Sequence, residues 1–155
     1  MKAINQLVST IITSHNDKRS LIPRLVVGLV FLSEGIQKFL FPELVGVGRF
    51  EKIGFANPEI LAYLVAYFEV TSGAMILAGL LTRLASIPLL TIMATAIVTT
   101  KIPILLNNGF WKMAHDSRTD FAMTMLLVYL IIYGAGSLSV DKLILSKKKQ
   151  YIKHH

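Results

Sequence analysis

Apolar residues run almost unbroken through four stretches of the chain, at roughly 21–41, 59–81, 84–106 and 120–140. Each holds about 21–23 residues, close to the ~20 that a helix needs to cross ~30 Å of hydrocarbon. Polar positions inside them are sparse and do not alternate. This predicts helices and not the strands of a membrane barrel. Between the first two stretches lies "PELVGVGRFEKIGFANP", where Pro and Gly act as breakers. "LTR" makes a short turn between the second and third, and "NNGFWKMAHDSRT" joins the third to the fourth. Short connections imply antiparallel neighbours, so the expected fold is an all-α, integral membrane bundle of four transmembrane helices.

The expected organisation is an N-terminal tail or interfacial helix over 1–20, a four-helix membrane domain over 21–141 and a basic C-terminal tail over 142–155. Ile4, Leu7, Val8, Ile11 and Ile12 share one helical face, which suits a helix lying on the membrane surface. The segment lacks the long apolar core and the small-residue cleavage site of a signal peptide.

Composition sharpens this picture. The chain is 54% hydrophobic and 16% charged, where a soluble domain carries about 25% charged residues. Its net charge of +7 is concentrated at the two ends, at "HNDKRS" and "DKLILSKKKQYIK", where it would meet anionic headgroups. The partner this implies is the lipid bilayer and not nucleic acid. Arg83 falls on the same side as these ends, so the positive-inside rule predicts both termini in the cytoplasm, and the reading is a multi-pass protein of a bacterial inner membrane. There are no cysteines, which removes thiolate chemistry, and of four histidines only His115 lies between apolar stretches.

The charges left inside the spans locate the candidate site. A lipid-facing charge costs at least ~2.5–3.5 kcal/mol near the bilayer centre, so such groups turn inward or meet water. At 100° per residue Arg24, Gly28, Phe31, Glu34, Gly35 and Lys38 fall within about 120° of one another, which predicts the inward face of the first span. Ala62, Ala66, Glu69, Ser72, Gly73 and Ile76 form the matching face of the second, with small residues at packing-seam spacing. In the third span Lys101 precedes Pro103, which deprives the Thr99 carbonyl of its usual partner, and Thr91, Thr95 and Thr99 form a hydroxyl row. Counting rise from the outward ends puts Glu34 about 10 Å, Glu69 about 15 Å and Lys101 about 8 Å deep.

These depths predict a polar pocket in the outward half of the bundle from Glu34, Lys38, Glu69, Lys101, His115 and Asp120. Tyr63, Tyr67, Phe68 and Trp111 are candidates to line a ring site. A competing reading makes the charges pure register pairs, Glu34 with Lys38 and Glu69 with Lys101. At the cytoplasmic end Arg24, Arg83 and Asp141 suit a structural clasp. No metal site is assigned; His115, Asp116 and Asp120 would be its source.

"RLVVGLVFLSEGIQKFLFP", "GFANPEILAYLVAYFEVTSGAMILAGLLTRLASIPLL", "NNGFW" and "YGAGSLSVD" together resemble the DoxX family of small bacterial membrane proteins. The resemblance spans roughly 22–141 and rests on the order and spacing of these markers. It implies a four-helix membrane bundle and a link to respiratory redox work, since relatives include thiosulfate:quinone oxidoreductase subunits. It singles out Arg24, Gly35, Lys38, Glu69, Thr82, Arg83, Gly134, Gly136, Ser139 and Asp141, and matches the family's acid at the start of the fourth helix with Asp120.

The leading expectation is a membrane subunit of a quinone-linked redox or oxidant-defence system. No cofactor is bound covalently, a quinone is the candidate ligand, and electrons would come from a redox partner protein or a soluble donor. Whether the chain is itself an enzyme stays open. A binder or transporter of a small anion or polar solute, acting as a homo-oligomer, and a non-catalytic scaffold for partner proteins are the alternatives.

Overall fold

The computed structural model describes residues 18–153, with the side chains of 147–153 excepted. The expected N-terminal helix or tail over 1–17 lies outside these residues, as do His15, His154 and His155. The described residues are all helical apart from turns and contain no strand. A short 3-10 turn, Lys18–Ser20, leads into α1, Leu21–Leu40. Then come α2 (Pro42–Val45), α3 (Val47–Ile53) and α4 (Pro58–Ala78). Next, α5 (Thr82–Ala96) runs through a π turn, Ile97–Lys101, into α6 (Ile102–Asn108). Finally come α7 (Phe110–Asp116), α8 (Arg118–Tyr133) and α9 (Val140–Lys153). Among the described residues three helices are long and apolar enough to cross a membrane: Lys18–Leu40, Pro58–Ala78 and Thr82–Asn108.

The boundaries follow local chemistry. Pro42 disfavours helical backbone at Phe41 and ends α1. Pro58 opens α4 at its first position, where a missing N–H costs nothing. Gly79, at φ 69°, closes α4 in a Schellman motif: its N–H donates to the Ile76 carbonyl and that of Leu80 to the Met75 carbonyl.

Several boundaries differ from the sequence expectation. The fourth apolar stretch, expected helical over 120–140, stays so only to Tyr133, because Gly134 (φ 74°) and Gly136 (φ 79°) leave helical space. Helix resumes at Val140 and runs to Lys153 within the expected basic tail. Ser139 supplies its N-cap, accepting a hydrogen bond from the Lys142 N–H. The connectors expected as loops hold α2, α3 and α7; Gly46, Gly54 and Gly109 mark their ends. At Pro103 the third span does not simply break. The Ile102 N–H reaches back five residues to the Ile97 carbonyl, so a π turn precedes the proline and helix continues beyond it.

Packing divides the bundle into two pairs, α1 against α4 and α5 against α8, with the tight Gly79–Leu81 turn joining α4 to α5. Val27, Phe31, Ile76, Leu89, Leu127 and Leu130 form the centre of the shared core. Lipid tails are as apolar as these side chains, so close backbone approach contributes more than apolar burial does. The six residues buried along α4 are the expected face: Ala62, Ala66, Glu69, Ser72, Gly73 and Ile76. Gly73 lies directly on α1, where an added Cβ would stand 2.8 Å from the Leu32 nitrogen and 3.1 Å from the Gly28 oxygen. Both obstacles are main chain. Gly73→Val is therefore expected to push α1 off α4 and destabilise the fold by about 1–3 kcal/mol. Thermal unfolding in detergent checks this; an unchanged midpoint would show that the seam is not tight.

Candidate functional site

A cavity of about 650 Å³ lies between the two helix pairs, roofed by α3 and Phe55. Its walls carry Glu34 and Lys38 from α1, Glu69 from α4, Lys101 from the π turn and Asp120 from α8. The structure thus brings together five of the six residues expected to form the polar pocket.

Gly35 sets the geometry of the first wall. An added Cβ there would lie 2.9 Å from both the Ala66 oxygen and the Glu69 Cβ, so α1 sits hard against α4 at this level. One turn on, Lys38 reaches across: its Nζ is 2.7 Å from Glu69 Oε2 and 3.7 Å from Glu34 Oε2. Lys38 is 8% exposed and Glu69 4%, whereas the Glu34 side chain, at 45%, stands at the cavity edge.

The opposite wall holds a second pair. Lys101 Nζ lies 3.0 Å from Asp120 Oδ2 and donates to the Asp116 carbonyl at 2.9 Å. The expected pairing of Glu69 with Lys101 is therefore corrected. Lys38 takes Glu69 because the glycine seam places it there, and Lys101, at the end of the π turn, faces α7 and α8 instead. Thr91, Thr95 and Thr99 run along the same wall. Their hydroxyls donate to the carbonyls of Ile87, Thr91 and Thr95 at 3.1, 2.9 and 2.8 Å, which leaves acceptor lone pairs on the oxygens.

His115 is corrected outright. It does not line the cavity; its ring lies 3.1–3.2 Å from the Arg118 guanidinium. Asp116 pairs with Lys112 at 3.0 Å, and this ammonium holds its carboxyl below the ordinary range. With Asp120 turned to Lys101, the residues that would have built a metal site face different partners.

Among the expected ring-lining residues only Phe68 is in place. Tyr63 stacks on Phe39 outside the cavity, Tyr67 is exposed, and Trp111 is 84% exposed on α7. A helix that exposes Phe68 to the cavity turns its neighbour Tyr67 away by 100°. The aromatic lining comes instead from Phe31, Phe50, Phe55 and Phe68. Phe50 and Ile53, with Arg49 beside them, sit on α3, inside a connector whose glycines and proline read as loop. The three-residue spacing of Phe50 and Ile53 is the one signal that marks them. His115→Ala and Trp111→Ala are accordingly expected to change ligand affinity less than twofold, measured by calorimetric titration.

At the other end of the bundle Arg24 is 2% exposed and its hydrogen bonds go to main-chain carbonyls. Nε donates to the Ile76 carbonyl at 2.9 Å, one terminal nitrogen to Leu77 at 2.7 Å, and the other to Ala135 at 2.9 Å and to Leu138. Asp141, equally buried, accepts from the Leu81 N–H at 2.9 Å and so holds that residue at φ 47°. Arg83 donates to the Ile132 carbonyl at 2.9 Å. The three residues expected as a clasp each tie main chain from different elements.

This combination defines a class: an all-helical membrane protein whose buried polar groups surround an internal cavity near one end. The DoxX family model matches residues 20–102, more than half of the chain, and the chain belongs to the DoxX family. "Uncharacterized membrane protein Rv3486" of Mycobacterium tuberculosis (strain ATCC 25618 / H37Rv) is 48% identical over 125 residues, covering 77% of each chain. "Putative oxidoreductase CatD" of Bacillus subtilis (strain 168) is 26% identical over 132 residues, covering 84% of this chain and 90% of that protein. No solved structure matches.

Proposed function

We propose that the cavity binds the head ring of a membrane quinone, and that the protein is a membrane subunit of a quinone-linked redox or oxidant-defence system. The observation that carries this reading is the charge balance of the lining. Lys38, Arg49 and Lys101 meet Glu34, Glu69 and Asp120, so the site is formally neutral. A neutral ring flanked by phenylalanines suits such a site, and about 650 Å³ falls within the range of small-molecule pockets. A small anion would find both buried ammonium groups already neutralised, which weighs against the anion-carrier alternative. The name of the Bacillus subtilis relative adds support for redox work.

In this reading α8 is the fourth crossing, and both termini lie on the cytoplasmic side of a bacterial inner membrane. Electrons come from a partner protein or soluble donor, while this chain binds and orients the ring and exchanges its protons at Glu34, the half-exposed carboxyl. Calorimetric titration of the full-length protein in lipid nanodiscs with short-chain benzoquinone and benzoquinol tests the reading. Saturable binding of at least one form, weakened by Phe68→Ala, is expected. No binding of either form overturns it.

A further inference from the structure

The walls of the cavity differ in how well they close. At the roof Phe50, Ile53 and Phe55 are half-buried across it. Between α1 and α8 Phe31, 3% exposed, and Met123, 6% exposed, seal the side. The side between α4 and α5 is different. These helices belong to different packed pairs and are joined at the 79–81 turn. Beyond that turn their lining residues are exposed: Leu64 at 49% and Phe68 at 38% on α4, and Thr91 and Thr95 on α5.

The exposed residues stand at two matching levels. Phe68 and Thr91 lie about 14–15 Å along their helices from the turn, and Leu64 and Thr95 about 20–21 Å. Both levels fall within ~30 Å of hydrocarbon, so this gap opens onto lipid tails and not onto water. Its rim suits that surrounding. Thr91 and Thr95 donate their protons to the Ile87 and Thr91 carbonyls, so neither hydroxyl presents an unpaired donor to hydrocarbon. Glu34 marks a second edge, nearer the roof, but a hydrocarbon chain does not pass beside a half-exposed carboxylate. Lys101, paired with Asp120, stands about 9 Å nearer the roof than Thr95. The interior is therefore polar under the roof and has an apolar exit deeper in the membrane.

Resting on the ring-binding reading above, we infer that the gap between α4 and α5 is a subsite for the hydrocarbon chain of the ligand and the route by which the ligand enters from the bilayer. Leu64, Phe68, Thr91 and Thr95 flank the chain while the ring lies inside. A ring that carries a long chain fits the cavity only if the chain leaves it, and this is the side that lets it out. Lipid tails are as apolar as the gap, so the chain gains little affinity there. What the gap supplies is room, and filling it should reject chain-bearing ligands selectively.

The test uses the full-length protein in nanodiscs and a decyl-benzoquinone with a diazirine midway along its chain. Light-induced adducts are expected on residues 61–68 of α4 and 91–99 of α5, and excess plain decyl-benzoquinone should remove them. In Thr95→Trp the indole fills the gap. Calorimetric titration should then show decyl-benzoquinone bound about tenfold more weakly or worse, and chainless benzoquinone within about threefold of the parent. Val98→Trp, exposed on the same helix but outside the cavity, should leave both affinities unchanged. Three outcomes would overturn the inference: displaceable adducts on other helices, adducts that excess quinone does not remove, or a Thr95→Trp protein that treats both ligands alike. Non-displaceable adducts would mean that the gap takes any bilayer chain. In each case saturable binding of chainless benzoquinone to the parent leaves the ring-binding reading intact. Absence of binding by both quinones overturns that reading instead. If Thr95→Trp does not fold, the adducts on the parent decide.

Discussion

Lys38→Met is expected to cost about 3–5 kcal/mol of stability and to abolish ring binding. Methionine keeps the length of the side chain and its apolar stem but removes the ammonium that lies 2.7 Å from Glu69. Glu69 would then remain buried with neither a hydrogen-bond donor nor a countercharge. The penalty belongs to the orphaned charge more than to the lost attraction, and this has a measurable consequence. The double variant Lys38→Met, Glu69→Leu removes both charges and is expected to recover most of the lost stability without recovering binding. Thermal unfolding and calorimetric titration of the four proteins of this cycle separate the two effects. If the single variant is as stable as the parent, the pair does not carry the energy assigned to it. If the double variant still binds the ring, the charges are not part of the site.

The second large effect is expected at the opposite end. Arg24→Ala would leave the main-chain carbonyls of Leu77, Ala135 and Leu138 without this donor, and that of Ile76 with the Gly79 N–H alone. At about 1–3 kcal/mol for each buried unsatisfied group, the loss is expected to reach about 4 kcal/mol or more. Arg24→Lys should restore only part of it, because one ammonium cannot span four acceptors that the planar guanidinium reaches at once. The site is also sterically closed: a Cβ on Gly79 would stand 2.7 Å from the guanidinium, so Gly79→Ala should lower stability too. Unfolding midpoints in one detergent provide the comparison. A lysine variant as stable as the parent would refute the fan-like role of the arginine. Molecules that remain folded should still bind ring ligands, since Arg24 does not line the cavity.

The two ends were legible in the sequence to different degrees. A charge inside an apolar span can only face inward or meet water, and helical geometry turns that rule into a face. On α4 this identified every residue that the structure buries. On α1 it placed Arg24, Gly28, Phe31, Gly35 and Lys38 correctly, with Glu34 at the edge of the same face. What periodicity does not carry is the partner. Depth arithmetic put Glu69 about 5 Å below Glu34, and Lys38 lies one turn further out, yet a lysine side chain pointing back along its helix covers that distance. It set Lys101 within reach of Glu69, yet the π turn at Pro103 turned it to Asp120. His115 and Trp111 were assigned to the pocket on loop position alone, and a seven-residue helix aims both elsewhere.

The sequence by itself determined the helical membrane architecture, the inward faces of the first two spans and the residue types available to the site, because hydrocarbon punishes every exposed charge and every unpaired peptide group in the same way wherever it occurs. Tertiary structure alone decided which ammonium meets which carboxylate and which aromatic rings line the cavity. Those outcomes depend on differences of an ångström or two in how close two helices lie. That spacing is set at Gly28, Gly35 and Gly73, where the absence of a side chain lets two backbones meet.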